Sequence, residues 1–349
     1  MQNILDSLLP RGAADGCYPG AAAACGYGQK TCAISFAGKI SQDGPAPNGR
    51  TLYDMASITK ILAPTMIAFF AIEEGLLTLY DTIGTFFPDA PEDKREITIL
   101  QLMSHCGGFV PSYHLSEAVG SPDGALGELL AHPLDYAPGT DVAYSCMGYI
   151  VLGKILEKIY GEGLDSLARR RVFEPLGMRN TGYLPKGGVI APTEIDKETG
   201  KPLCGVVHDE NARFLGGVSA NAGVFSCLED MIAFVKMLAC GGEGLLSPAM
   251  FQRAIRCSAQ TSEVRRGLGF HLAGTERNFM GDLMPECSFG HTGFTGTSFA
   301  VDPTTGFWAV LLTNRVYPTR ENTRLFRFRR EFHNALYAAF TREYAPGSR

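Results

Sequence analysis

The chain has no Cys-x-x-Cys pair and no cluster of cysteines, although it carries ten of them, from Cys17 to Cys287. Scattered thiols in a chain of 349 residues argue against both a disulfide framework and a metal-ligand set, because a protein this large needs no staples. Buried free thiols in a reducing cytoplasm account for them. No segment strings together about 18 apolar residues without a charge, so no membrane span is expected. Residues 1–20 carry Asp6, Pro10, Arg11 and Asp15 where a secretion signal has an apolar core. Charge of one sign is also missing. The formal net charge is −5 and the signs are mixed along the chain, so there is no broad basic face for a nucleic acid. Internal repeats and low-complexity tracts are absent. The expectation is a soluble, cytoplasmic protein with no nucleic-acid or membrane partner, and with neither metal nor other cofactor.

What is present begins with apolar content: 45% of the residues are hydrophobic, enough for a large core. Two short strand candidates, 21–26 and 31–36, flank a hairpin-like break at 27–30. Near the other end, 297–301 and 307–313 flank Asp302-Pro303-Thr304-Thr305-Gly306, a second hairpin signal. Between them the apolar spacing is helical over 60–74, 97–103, 147–160, 164–172 and 228–238. Stretches 183–205 and 258–285 read as loops. The basic cluster 324–330 overlaps apolar residues Leu325, Phe328, Phe332 and Leu336 at near-helical spacing. It reads as a C-terminal helix docked on a sheet with its arginines outward, in preference to a helix lying on a membrane. The expectation is an α+β protein: one antiparallel sheet from the two ends of the chain, flanked by helices, with a mostly helical middle lobe. A single catalytic domain would span 1–349, with 1–56 and 286–349 in the α/β lobe and 57–285 in the helical lobe. A cleft falls where the lobes meet.

Ser57-Ile58-Thr59-Lys60 opens the long apolar segment at that junction. Residues three apart share a helix face, so the Lys60 amine sits over the Ser57 hydroxyl and can take its proton, as an acyl-transferring nucleophile requires. The plain alternative is a serine helix cap. A cation in a first helical turn opposes the helix dipole, and burial would lower its proton affinity and make it a base. Two further segments converge on the same chemistry. Tyr144-Ser145-Cys146 follows a Pro138-Gly139 turn, and Tyr144 could share the proton if nearby cations lowered its pKa by about 3 units from an ordinary value near 10. His291-Thr292-Gly293-Phe294 precedes a strand, and its glycines imply backbone that approaches something closely. A backbone N–H there, with that of Ser57, would form an oxyanion hole. His105, in a turn after a helix, reads as structural. The run Val207-His208-Asp209-Glu210-Asn211 holds too few ligands for a metal and reads as a polar loop lining the cleft.

Taken together, Ser57-x-x-Lys60, Tyr144-Ser145-Cys146 and His291-Thr292-Gly293 resemble, in order and spacing, the motif set of the serine β-lactamase and penicillin-binding protein superfamily, in its class C-like branch of esterases, peptidases and amidases. Met55-Ala56 before the serine, 102–108 and Pro175-Leu176-Gly177-Met178 match as well, so the resemblance covers roughly residues 18–340. It implies the β-lactamase/transpeptidase-like α+β fold and a serine hydrolase working through an acyl-enzyme on a small-molecule or peptide-like ester or amide. Ser57, Lys60, Tyr144 and His291 would be catalytic, with Cys146, His208, Asp209, Gly293 and Phe294 binding substrate. Two departures stand out. Cys146 replaces an asparagine and His291 a lysine that helps hold the carboxylate of penicillins and of D-alanyl-D-alanine. The second weakens the case for a β-lactamase or D-Ala carboxypeptidase. A catalytically weak ligand-binding or sensor protein is the reading from another class.

Overall fold

The computed structural model describes residues 1–276 and 278–344. Its strands run, in chain order, β1 (Gly20–Tyr27), β2 (Lys30–Gly38), β3 (Tyr53–Asp54), β4 (Gly182–Tyr183), β5 (Val224–Ser226), β6 (Ala259–Gln260), β7 (Arg265–Arg266), β8 (His271–Leu272), β9 (Phe289–Thr292), β10 (Ser298–Val301) and β11 (Phe307–Thr313). Eight of them form one antiparallel sheet in the order β2-β1-β11-β10-β9-β8-β7-β6, and β3-β5-β4 form a small second sheet. The sequence explains who sits where. β1 carries four consecutive alanines, β11 runs through six apolar residues before Thr313, and both are buried along almost their whole length. Such strands belong at a sheet centre covered on both faces. β2 alternates exposed and buried residues and lies at the edge.

The register joins the two ends of the chain, pairing Ala21 with Thr313 and Cys25 with Ala309. Successive side chains then point to opposite faces. Ala22, Ala24, Val310 and Leu312 pack toward the helical lobe, with Phe234 and Val235 of the helix Leu228–Ala239. Ala21, Ala23, Ala309 and Leu311 pack against Leu325, Phe328, Phe332 and Leu336 of the C-terminal helix Leu325–Tyr344. Most of that helix's arginines do point outward, but Arg329 turns inward and is only 5% exposed. A further helix, Gln2–Ala14, adds Leu5 and Leu9 to the same layer; no sequence signal marked it. The segment 258–285, expected as loop, contributes β6, β7 and β8 to the far edge of the sheet.

The middle of the chain forms the helical lobe, built around Cys146–Tyr160 and the segment that begins at Ser57. Ala56–Glu73 is long and apolar enough to cross a bilayer by length and composition alone, but 83% of it is buried inside the protein. It is the central helix of the lobe. It is also irregular: a 3₁₀ turn at Ala56–Ile58, then a wide π turn at Ile61–Thr65 that contains Pro64, then an α-helix over Met66–Glu73. Proline has no N–H to donate, so a widened turn at that point is its expected consequence. All ten cysteines are free thiols.

Candidate active site

Strain at Ala56 sets the position of Ser57. Ala56 has φ +45°, a region costly to a residue with a Cβ, and such strain persists only where its surroundings enforce it. Asp54 supplies the enforcement: its carboxylate accepts the Ala56 N–H at 2.8 Å and the His208 N–H at 2.7 Å. Burial raises the Asp54 pKa to about 6 against the lowering effect of those two bonds. From the other side, Gly293 lies against the carbonyl of Met55. A Cβ at Gly293 would meet Thr297 Oγ1 at 2.2 Å and Met55 O at 2.5 Å, so the close approach read from the glycine density is that of the residue after β9 to the turn that carries Ser57.

Lys60 is fully buried. Its Nζ reaches Ser57 Oγ at 3.2 Å, Cys146 Sγ at 3.4 Å and the Asn221 carbonyl at 2.8 Å. Three acceptors suit the three protons of an ammonium. Burial alone would lower its pKa, but Cys146 and Tyr144 together outweigh that and raise it. The expectation that burial sets the direction is therefore corrected: burial is the largest single effect and lowers the Lys60 pKa, but the net direction is upward. The Tyr144 ring lies 4.9 Å from Lys60 Nζ and 5.3 Å from the Arg266 guanidinium. Even so, burial raises the Tyr144 pKa, with Lys60 and Ser57 only partly opposing, so the lowering that the sequence argument required is not found in the resting site. Its hydroxyl is buried and approaches Lys60 and Ser57 closely enough to act on them, but no hydrogen bond of good geometry forms.

His291 is buried, with Nδ1 2.8 Å from the Thr292 carbonyl, Nε2 unpartnered, and its ring 6.0 Å from that of Tyr144. Burial, then Arg266 and Lys60, press its pKa well below the usual imidazole value, so it is neutral. Ser57, Tyr144, His291, Thr292, Gly293 and Phe294 line a cleft of about 350 Å³ together with Arg266, His271, Arg315, Phe326 and Arg329. Neither the Ser57 nor the Phe294 N–H is taken up by a turn or loop hydrogen bond among the described residues. A larger hollow of about 640 Å³ around residues 179–189 contains none of these groups.

The remaining expected substrate contacts have other partners. Cys146 opens the helix Cys146–Tyr160 and touches Lys60. Asp209 caps residues 210–214 through the Ala212 N–H and accepts the Asn221 amide at 3.0 Å, steadying the segment whose carbonyl holds Lys60. His208 pairs with Glu194 at 3.2 Å and stacks on Phe294 at 5.6 Å. All three stand behind the lining and do not form it. His105 has φ +59°, accepts the Ser145 N–H at 3.1 Å and lies tilted against the Tyr144 ring at 4.5 Å. It stands behind Tyr144 and braces it. The sequence reasoning missed the three arginines of the cleft, which stand in no motif.

A serine bonded to a buried lysine, a tyrosine ring over that lysine and a strand-borne His-Thr-Gly thus meet at one cleft. The family model for Beta-lactamase matches residues 5–334, and the chain belongs to that family. It is 33% identical over 301 residues, 76% of this chain and 69% of the relative, to a protein of Escherichia coli (strain K12) named "Putative D-alanyl-D-alanine carboxypeptidase". Among solved structures it resembles EstCE1, a hydrolase with promiscuous acyltransferase activity, at TM-score 0.76 and 22% identity, covering 96% of this chain and 98% of that one. It also resembles the octameric penicillin-binding protein homologue from Pyrococcus abyssi, at TM-score 0.75 and 21% identity, covering 97% and 77%. These likenesses carry the α+β fold.

Proposed function

We propose that the protein is a serine hydrolase in which Ser57 attacks the carbonyl of an ester or amide and forms an acyl-enzyme. The observation that supports this best is the contact of 3.2 Å between Lys60 Nζ and Ser57 Oγ beneath the ring of Tyr144. As the Ser57 oxygen bonds to the carbonyl carbon, its proton passes to the Lys60–Tyr144 couple. The charge that builds on the carbonyl oxygen is met by the N–H groups of Ser57 and Phe294. Collapse of the tetrahedral species breaks the bond to the leaving alcohol or amine, which takes the proton from the couple. Water then attacks the acyl-enzyme by the same route, releasing the acid and restoring Ser57. His291, neutral and with a free Nε2, orients Tyr144 or the substrate.

The couple holds its protons firmly at rest, so the form able to accept the serine proton is a minor one that grows as pH rises. The names of the relatives, a carboxypeptidase and an acyltransferring hydrolase, support an acyl substrate of either kind. No observation favours the ligand-binding alternative. Labelling with a fluorophosphonate, followed by mass spectrometry of the Ser57 peptide, tests the reading. Wild type gains a covalent adduct at Ser57 and hydrolyses 4-nitrophenyl esters, and Ser57→Ala does neither. An unlabelled Ser57, with no ester turned over at any acyl length, would end it.

A further inference from the structure

One wall of the cleft holds three arginines, with no acid lining it among the described residues. Arg266 on β7 is 7% exposed, Arg315 after β11 is 2% exposed and Arg329 of the C-terminal helix is 5% exposed. All three line the same cavity as Ser57. The Nε of each is buried without a hydrogen-bond partner. What they do touch is weak. Arg315 donates to the carbonyls of Arg320 at 3.1 Å and Asn322 at 2.6 Å, and lies between Phe294 and Phe326. Arg329 reaches the Thr297 carbonyl at 3.4 Å, and Arg266 faces the Tyr144 ring. None forms an ion pair among the described residues. The other titratable groups facing these arginines are Tyr144, His291 and His271 beside Arg266 and His333 beside Arg329, and each histidine is disfavoured as a cation by its arginine. Burial, and then the charge of Arg315, press the Arg329 guanidinium itself toward its neutral form.

Buried charge without a counter-ion is among the costliest arrangements in a folded protein, and guanidinium groups are rarely tolerated there unpaired. Their planar donors match carboxylate and phosphate oxygens. A single negative charge would leave this wall still strongly cationic. Phe294 and Phe326, 49% and 51% exposed, flank the opening with apolar surface suited to the uncharged part of the same molecule.

We infer that this wall is an anion subsite, in which Arg266, Arg315 and Arg329 receive a doubly charged oxyanion of the substrate, a dicarboxylate or a phosphate. As a statement about substrate it rests on the hydrolase reading above. As a statement about binding it does not. It also reverses the expectation drawn from His291, since the positive charge missing from the third motif is supplied by residues remote from it in sequence.

The test has a kinetic arm and a binding arm. Wild type is compared on the 4-nitrophenyl ester of 4-phosphonobutyric acid, whose phosphonate is doubly charged, and on neutral 4-nitrophenyl butyrate. The expected preference in kcat/KM for the charged ester is about tenfold or more, falling as salt is added. Arg266→Met and Arg329→Met, each checked for a cooperative melt, should erase most of that preference. In the binding arm, Ser57→Ala is melted in low-chloride buffer with acetate, succinate or inorganic phosphate at equal ionic strength. Succinate or phosphate should raise Tm and acetate should not. A larger rise with phosphate identifies a phosphate, and the reverse a dicarboxylate. Both arms can be read even if the arginine variants fail to fold. Ester turnover without charge preference, together with unmoved melting for all three anions, overturns the subsite and leaves the hydrolase standing. Anion binding by Ser57→Ala with no ester hydrolysed by wild type has the opposite meaning: the subsite stands and the hydrolase reading falls.

Discussion

Replacing Tyr144 by phenylalanine should make the protein more stable and much less active. The ring is held by contacts that Phe keeps: Lys60 Nζ at 4.9 Å, Arg266 at 5.3 Å and the His105 ring at 4.5 Å. Only the hydroxyl is lost, and its approach to Lys60 and Ser57 falls short of a well-formed hydrogen bond. A poorly satisfied buried polar group costs about 1–3 kcal/mol, so its removal should stabilise by about 1 kcal/mol or somewhat more. For a chain of this size that corresponds to a rise in Tm of about 2 °C. The same hydroxyl acts on both Lys60 and Ser57, and proton transfer by a positioned group contributes roughly 10²–10⁴-fold to rate. Thermal unfolding and 4-nitrophenyl ester kinetics, run side by side, give both numbers. In wild type kcat/KM should climb with pH through the alkaline range, because both Tyr144 and Lys60 are held above their ordinary values; the variant should lose that limb. An unchanged kcat, or a clear loss of stability, would refute the reasoning and return the proton to Lys60 alone.

Two other outcomes follow from the same coordinates. Gly293→Ala would drive a methyl into the Met55 carbonyl; ester turnover should drop at least about a hundredfold with a stability loss of about 2 kcal/mol or more, and a variant that melts and turns over like wild type would show that the turn before Ser57 is not pinned by β9. His271 and His333, both pressed down to about 3, chiefly by burial, bind fewer protons folded than unfolded between about pH 3 and the ordinary value near 6.5, so stability falls as pH drops through that window. Each contributes a loss of up to about 3 kcal/mol at pH 4, and His333→Leu, which removes a ring with both nitrogens unpartnered, should flatten the acid limb of a denaturant-midpoint-versus-pH curve; an unaltered limb would place the acid sensitivity elsewhere.

What the sequence disclosed depended on how local each cause was. β1 and β11 were legible because short apolar runs and the turn residues beside them are properties of local segments. The Ser57–Lys60 contact was legible because one helical turn fixes it. β6, β7 and β8 have two residues each, too short for any period to show. The helix Gln2–Ala14 carries Pro10 and Gly12, which read as breakers, and Gly12 is small because Tyr18 and Phe328 press on it. His208 and Asp209 were expected on the substrate because a polar loop near a cleft suggests it, yet their partners, Glu194 and Asn221, are chosen by tertiary packing. Arg266, Arg315 and Arg329 were invisible for the same reason. An isolated arginine is ordinarily a surface residue, and only the assembled fold shows three of them facing one cavity. The direction of the Lys60 pKa was likewise out of reach, since Cys146 and Tyr144 reach it from another segment.

The pairing of β1 with β11 has a consequence for how the protein comes into being. Ser57 leaves the ribosome well before the strand that carries His291 and the arginine after β11, and the sheet that sets them opposite each other closes only when Ala21 meets Thr313. A nascent chain therefore holds the serine and its lysine without the opposite wall of their cleft until β11 has followed. A nick or truncation that removes β11 would leave the serine without that wall, so the topology itself joins completion of the cleft to completion of the sheet.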